Sequence, residues 1–255
     1  MKKNFFIGVL LLFFLGNSLR VEGQCYGTVN FDDASNANGS NTFTINTSYC
    51  NELIMISYDG WMGPGSGPVK VDGTPATYIN TAFVYYYAVA ETYAYIAPNA
   101  GTHTIVCTES PYSSPYYLNS AAAFYASGTG YSLTIASLTN AQNTVSCVGG
   151  GTVTATISTS IPNSMIYDNF DCNNGQFGPF TDSWTGGTFL NQLHEGNGLD
   201  QSEAYTFAAS PSTYTVSANC SASPGPCGGL ALLLVVIPPP HCGGGYRTFG
   251  LFQPS

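Results

Sequence analysis

Charge is what this sequence lacks. Asp, Glu, Lys and Arg make up 7% of it, against about 25% in an ordinary soluble domain. Cations are scarcest: Lys2, Lys3, Arg20, Lys70 and Arg247 are the whole set. That excludes nucleic acid as a partner, because lysines and arginines must displace the counterions of a phosphate backbone. An anionic membrane surface is disfavoured for the same reason. Histidine occurs only at His103, His194 and His241. There is no Cys-x-x-Cys pair, which makes zinc a poor reading. No Gly-x-Ser-x-Gly elbow exists, so serine-hydrolase chemistry has no nucleophile signature. No stretch sustains a capped apolar period of 3.6 residues, which removes long amphipathic helices.

The first residues fix an expected compartment. Met1-Lys2-Lys3 precedes the apolar run FFIGVLLLFFLG, and Val21-Glu22-Gly23 supplies a cleavage site before Gln24. This layout reads as a secretory signal peptide over 1–23. The run is shorter than the roughly 20 residues of a membrane span. The expected product is therefore secreted, extracellular or held at the cell surface, with no membrane span after cleavage. Cleavage leaves Lys70 and Arg247 as the only cations, and it leaves thirteen acidic residues, since Glu22 departs. The surface must then be built from Ser, Thr, Asn, Gly and Tyr. Such a surface gives copies of the chain little mutual repulsion. Self-association into a homopolymer or surface layer is expected on that ground.

Eight cysteines follow the leader: Cys25, Cys50, Cys107, Cys147, Cys172, Cys220, Cys227 and Cys242. An even number in an exported chain argues for disulfides. Pairings expected from proximity in sequence are Cys220 with Cys227, Cys25 with Cys50, and Cys107 with Cys147, though eight cysteines allow 105 connectivities.

Hydrophobic residues make up 44% of the chain and fall in about a dozen short runs. NTFTIN alternates, ELIMISYDG is apolar up to Asp-Gly, and PVKVDGTPATYI reads as strand, turn, strand. Regularly spaced strands without helices predict an all-β sandwich or barrel. GLALLLVVIPPP has eight consecutive apolar residues, Leu230 to Ile237, and reads as a strand buried on both faces. The segments TYAYIAPNAGTHTIVC (92–107) and AYTFAASPSTYTVSANC (204–220) share one plan: aromatic strand, Pro-containing turn, Thr-rich strand, cysteine. Two hairpins in one sandwich or two small domains would each produce it. The preferred division is an irregular leader or donor segment over 24–42, one sandwich over 43–240, and a Gly-rich tail over 241–255.

The succession LIMISYDG, VKVDGTPATYI, YAYIAPNAGTHTIV, SAAAFY and YTVSAN…GGLALLLVVI resembles secreted bacterial jelly-roll-like domains of surface proteins, adhesin-like chains and phage tails. The resemblance implies a disulfide-bonded, jelly-roll-like β-sandwich without enzymatic activity. It carries over no catalytic residue. The chain is also similar, more weakly, to jelly-roll filament subunits that polymerise by donating an N-terminal strand. The function expected is that of a structural protein of the cell surface or extracellular matrix, polymerising by strand addition at a sheet edge.

A glycan-binding adhesion module is the main alternative. Sugar faces stack on exposed aromatic rings, and Tyr85, Tyr87, Tyr93 and Tyr95 are the candidate interface or glycan contacts. Tyrosine in strands more often fills cores. In DNFDCNNG, Asp168, Asp171 and Asn173 could hold one calcium ion, and Asp32-Asp33 form a second acidic segment; Asx turns are the plainer explanation. No other cofactor is expected. His103, next to a turn, is expected at a solvated strand position. His194 and Glu195 lie in a polar loop and could join Asp200 in a metal or acid–base site. A carboxylate-pair hydrolase would use Asp168 with Asp171, or Asp200 with Glu203, but any chain with thirteen acids contains such neighbours.

Overall fold

Alternating apolar residues become strand, and no α-helix occurs among the described residues. The structure is a computed structural model describing residues 25–61, 69–84, 88–107, 117–127, 133–135, 139–148, 151–173, 182–195, 199–220, 226–236 and 240–241. One compact unit covers Tyr26–Pro239. Its first strands are β1 (Cys25–Tyr26), β2 (Thr28–Asn38), β3 (Thr42–Thr47), β4 (Glu52–Trp61), β5 (Lys70–Val71) and β6 (Thr74–Pro75). Then come β7 (Thr77–Val84), β8 (Ala88–Ala97), β9 (Gly101–Val106) and β10 (Tyr117–Ser127). The remainder is β11 (Thr139–Val148), β12 (Gly151–Thr159), β13 (Ser164–Asn173), β14 (Asp182–Thr185), β15 (Thr188–Glu195), β16 (Leu199–Ala208), β17 (Ser212–Cys220) and β18 (Pro226–Val236), with β19 (Pro240–His241) beyond that unit.

The strand order is a duplication. The two large sheets run β2-β10-β4-β8-β7 and β11-β18-β13-β16-β15, and the two smaller ones run β3-β9-β5-β6 and β12-β17-β14. Number the strands of each half from one to eight, with β5 and β6 counted together. Both large sheets then read 1-8-3-6-5 and both small sheets read 2-7-4. The sequence carries the same duplication. Thr42–Asp59 aligns without a gap on Thr154–Asp171, and eight of eighteen positions are identical. Asn51 and Asn163 occupy the same turn at φ 60° and 59°, a left-handed conformation that asparagine tolerates better than most side chains.

Within the segment over 24–42, expected as an irregular leader or donor segment, β2 occupies eleven residues and pairs antiparallel with β10 from Thr28 to Asn38. Within the unit Tyr26–Pro239 the strands form two halves of the same order. The two similar hairpins, 92–107 and 204–220, lie on β8–β9 and β16–β17, the sixth and seventh strands of each half. Their tyrosines nevertheless fall on different faces. Tyr93 pairs with Ile56 and Tyr205 with Tyr167, and a one-residue offset turns every side chain of a strand over.

Alternation assigns the cores. Ile54, Ile56, Tyr93, Ala121 and Ala123 of the first large sheet pack on Phe43, Ile45, Val71 and Ile105 of its small sheet. On the opposite face, Leu53, Met55, Ala94, Ala122 and Phe124 pack against Met165 and Tyr167 of the second half. Aromatic rings bridge this seam. Phe124 meets Tyr167 edge-on at 6.0 Å, and Phe31 stacks on Tyr205 at 5.0 Å. The backbone N–H of Val29 donates to the Asn163 carbonyl at 3.0 Å, tying the first full strand to the second half's turn. Phe124→Ala should cost about 3–5 kcal/mol of stability, the usual range for emptying a buried aromatic site, measurable by urea unfolding.

Candidate functional site: a tyrosine pair beside two carboxyls

The most exposed chemistry gathers where β2 passes the turn between β3 and β4. The β2–β10 register slips between Phe31 and Asp33, leaving Asp32 as the extra residue of a bulge. Both aspartates reach the turn. Ser48 N–H donates to Asp32 Oδ2 at 2.8 Å, and Asn46 N–H donates to Asp33 Oδ2 at 3.1 Å. These donors lie at the edge of β3, so the carboxylates cover an edge that could otherwise recruit another strand. That accounts for the acidic pair without calcium.

The turn also sets Glu52. Its carboxyl has no exposed surface and accepts the Tyr49 backbone N–H. Burial pushes it up to about 7; the Tyr49 N–H opposes the rise and the nearby Asp32 carboxylate adds to it. Tyr49 itself stands 50% exposed. Its ring stacks on Tyr125 with centroids 4.3 Å apart and planes inclined by 28°. Burial, the hydrogen bond to Tyr49, and the charges of Tyr49, Asp32 and Glu52 all push the Tyr125 phenol up. Asp32 and Glu52 therefore lie beside an aromatic pair of which Tyr49 is open to solvent. Such a ring can stack on an apolar ring surface while the Asp32 carboxylate accepts hydrogen bonds from hydroxyls.

His103 is not solvated. Alternation along β9 buries His103 and Ile105 and exposes Thr102 and Thr104. Its Nδ1 lies 2.7 Å from Asp72 Oδ2, and its Nε2 lies 3.0 Å from both Asn99 O and Thr47 Oγ1. This resembles a nucleophile–base–acid string, but the Thr47 hydroxyl also faces two carbonyls, Asn99 O at 3.3 Å and Gly101 O at 3.4 Å. A hydroxyl whose proton goes to a carbonyl is not activated by the imidazole. The cluster fastens a turn. Asp72, at φ 50° beside Gly73 at 80°, makes the Asp-Gly hairpin read from the sequence. Burial alone would raise the Asp72 carboxyl, but hydrogen bonds from His103 and the Thr104 N–H, with the charge of His103, hold it below the usual value.

DNFDC is strand, not loop, and alternation sets Asp168 on the opposite face of β13 from Asp171 and Asn173. Asp168 is buried, neither carboxyl oxygen has a partner among the described residues, and burial pushes it well up. Glu203 is also buried, in the seam between the halves. It accepts from the Tyr167 hydroxyl and from Asn191 Nδ2 at 2.7 Å, and the Tyr167 hydroxyl meets Ser57 Oγ at 2.7 Å. Burial pushes Glu203 up against the pull of the Ser120, Tyr167, Asn191 and Ser57 side chains. Neither acid is open to a substrate. Backbone register puts His194 opposite Asp200, while their side chains, with Glu195, lie outside the described residues. Among the described residues no cluster of three metal-ligating side chains occurs.

Of the expected tyrosine contacts, Tyr93 is a core residue, 5% exposed, whose hydroxyl donates to Glu91 Oε2 at 2.7 Å. Tyr95 is partly buried against the same core. Tyr85 and Tyr87 lie outside the described residues. Cys50 is a free, exposed thiol and Cys107 a free, buried one, so neither the Cys25–Cys50 nor the Cys107–Cys147 bridge is present. Sequence reasoning missed Tyr49, Glu52 and Tyr125. The repeat holds a signal for two of them: Tyr49 and Glu52 stand where the second half has Ile161 and Ser164. No family model, curated protein or solved structure matches this chain.

The buried acids set a pH dependence. Glu52, Asp168 and Glu203 have raised values, so their stabilising share is full below the ordinary carboxyl range and is lost as pH rises through their folded values. Asp72 has the opposite sign: its share is present above the ordinary aspartate value and is lost as pH falls through its lowered one. Between pH 4.5 and about 7, the window of Glu52, unfolding free energy should fall with rising pH by at most about 1.4 kcal/mol per unit for each proton. Glu52→Gln should flatten that slope in urea titrations. An unchanged slope would remove Glu52 from the linkage.

Proposed function

We propose that this is a secreted, non-enzymatic protein of the cell surface or extracellular matrix that adheres to glycans through the Tyr49–Tyr125 face. The strand orders 1-8-3-6 and 2-7-4 support reading each half as a jelly roll with its fifth strand joined to the larger sheet. The observation that carries the functional reading is the half-exposed Tyr49 ring stacked on Tyr125 beside Asp32 and Glu52. Its partner class is a neutral saccharide, whose ring face covers Tyr49 and whose hydroxyls donate to the partly exposed Asp32 carboxylate.

Self-assembly is the second reading, favoured by the outer face of β12 and β17. There Thr154 meets Ser217 at 2.9 Å, Ser158 meets Thr213 at 2.8 Å, and Asn219 donates to Thr152 at 2.9 Å. This uncharged hydroxyl face offers a second copy no repulsion. The donor-strand version loses support from β2, because donating Thr28–Asn38 would break its register with β10. Negative-stain electron microscopy of the secreted protein decides whether filaments form at all.

Glycan-array screening tests the adhesive reading. Tyr49→Ala and Tyr125→Ala should each weaken binding about tenfold, roughly 1.4 kcal/mol, with the circular dichroism of the fold unchanged. Binding unaffected by both changes would show that the tyrosine face is not the site.

A further inference from the structure

The topology collects four of the cysteines at one end of the second half. β11 and β18 pair without a register break, and Cys147 stands directly opposite Cys227. On the other side of β18, Gly229 is opposite Cys172 of β13. Gly229 is two residues from Cys227, so Cys147, Cys227 and Cys172 occupy one face of the large sheet. It is the face of Asp168 and Phe170, which alternate with Met165 and Tyr167 at the seam. Cys220 ends β17, two and four positions beyond the buried Ala218 and Val216, which puts it on the inner face of the small sheet. Gly151, only four residues after Cys147, is its register partner.

We infer that this end is closed by two disulfides, Cys147–Cys227 across neighbouring strands and Cys172–Cys220 between the sheets. Backbone spacing selects this pairing among the three that four cysteines allow. Cys147 and Cys172 are separated by β18, about 9.5 Å at two strand spacings, beyond the roughly 7 Å limit between bridged Cα atoms. That removes the pairing containing Cys220–Cys227, the bridge expected from the short loop. Cys172 and Cys227 are diagonal neighbours, about 7–8 Å apart, which removes the pairing containing Cys147–Cys220. Cys147 and Cys227, as direct antiparallel partners, are roughly 4.5–5.5 Å apart, inside the range of about 4.4–6.8 Å that a disulfide spans. Gly229, without a side chain opposite Cys172, leaves space at that position for a bridge to the facing sheet.

Each bridge forms by thiol–disulfide exchange. One thiolate attacks a low-molecular-weight disulfide such as oxidised glutathione and releases the first small thiol, and the second thiolate attacks the protein sulfur of the mixed disulfide and displaces the other. Two S–H bonds are lost, one S–S bond forms, and the two electrons and two protons leave on the two released thiols.

The full chain, equilibrated in a glutathione redox buffer, alkylated and digested without reduction, gives the test by mass spectrometry. The expected result is one linked peptide pair joining Cys147 to Cys227 and another joining Cys172 to Cys220, with Cys50 alkylated in the native protein. Alkylated Cys147 and Cys227, or a Cys220–Cys227 link, would overturn the assignment. So would one zinc ion per chain, found by metal analysis, with the four thiols protected but reduced.

Discussion

The packing of one large sheet on the other is the constraint on which the rest of this structure depends. Each half has its own small sheet to cover one face of its large sheet. The other face carries Leu53, Met55 and Phe124 in the first half, and Met165 and Tyr167 in the second. Left in water, either face would be an apolar patch of the kind that drives association. The halves solve this by covering each other. The seam is not uniformly apolar, since Ser57, Tyr167, Glu203 and Asn191 form a hydrogen-bonded string across it. Such a string is costly if left half-satisfied and specific when made. It favours one registration of the two sheets over a slide.

The same duplication explains how a chain with so little charge presents a distinct site. The two halves share strand order, turn geometry and the asparagine at φ near 60°. They differ at the turn itself. In the first half, Tyr49 and Glu52 replace Ile161 and Ser164, and the bulge in β2 brings Asp32 and Asp33 against that turn. A shared scaffold thus leaves one copy of a loop free to take on polar and aromatic chemistry, the usual division between frame and loop.

Much of the frame was legible in the sequence. Alternation in TFTIN, the Asp-Gly turn after Val71 and the aromatic hairpin at 92–107 all became what their patterns indicate. The rest was hidden for physical reasons. β2 reads as irregular because Asn, Asp and Ser dominate it, and its strand state comes from pairing with β10 rather than from propensity. His103 looks exposed because a turn precedes it; burial follows from partners at Asp72 and Thr47 that lie 31 and 56 residues away. Asp168 looks like a loop ligand because it sits among Asp and Asn, yet strand alternation turns it inward. The tyrosine pair joins the β3–β4 turn to β10, seventy-odd residues further along the chain, and no local pattern announces such a contact.

Native-state hydrogen exchange resolved by residue is the most direct measurement of the seam. If the two halves are held as one body, amides of β4, β10, β13 and β16 open together, with the free energy of global unfolding. Exchange of β13 and β16 at a clearly lower opening free energy than β4 and β10 would mean that the halves unfold separately, and that the seam does not hold the structure together.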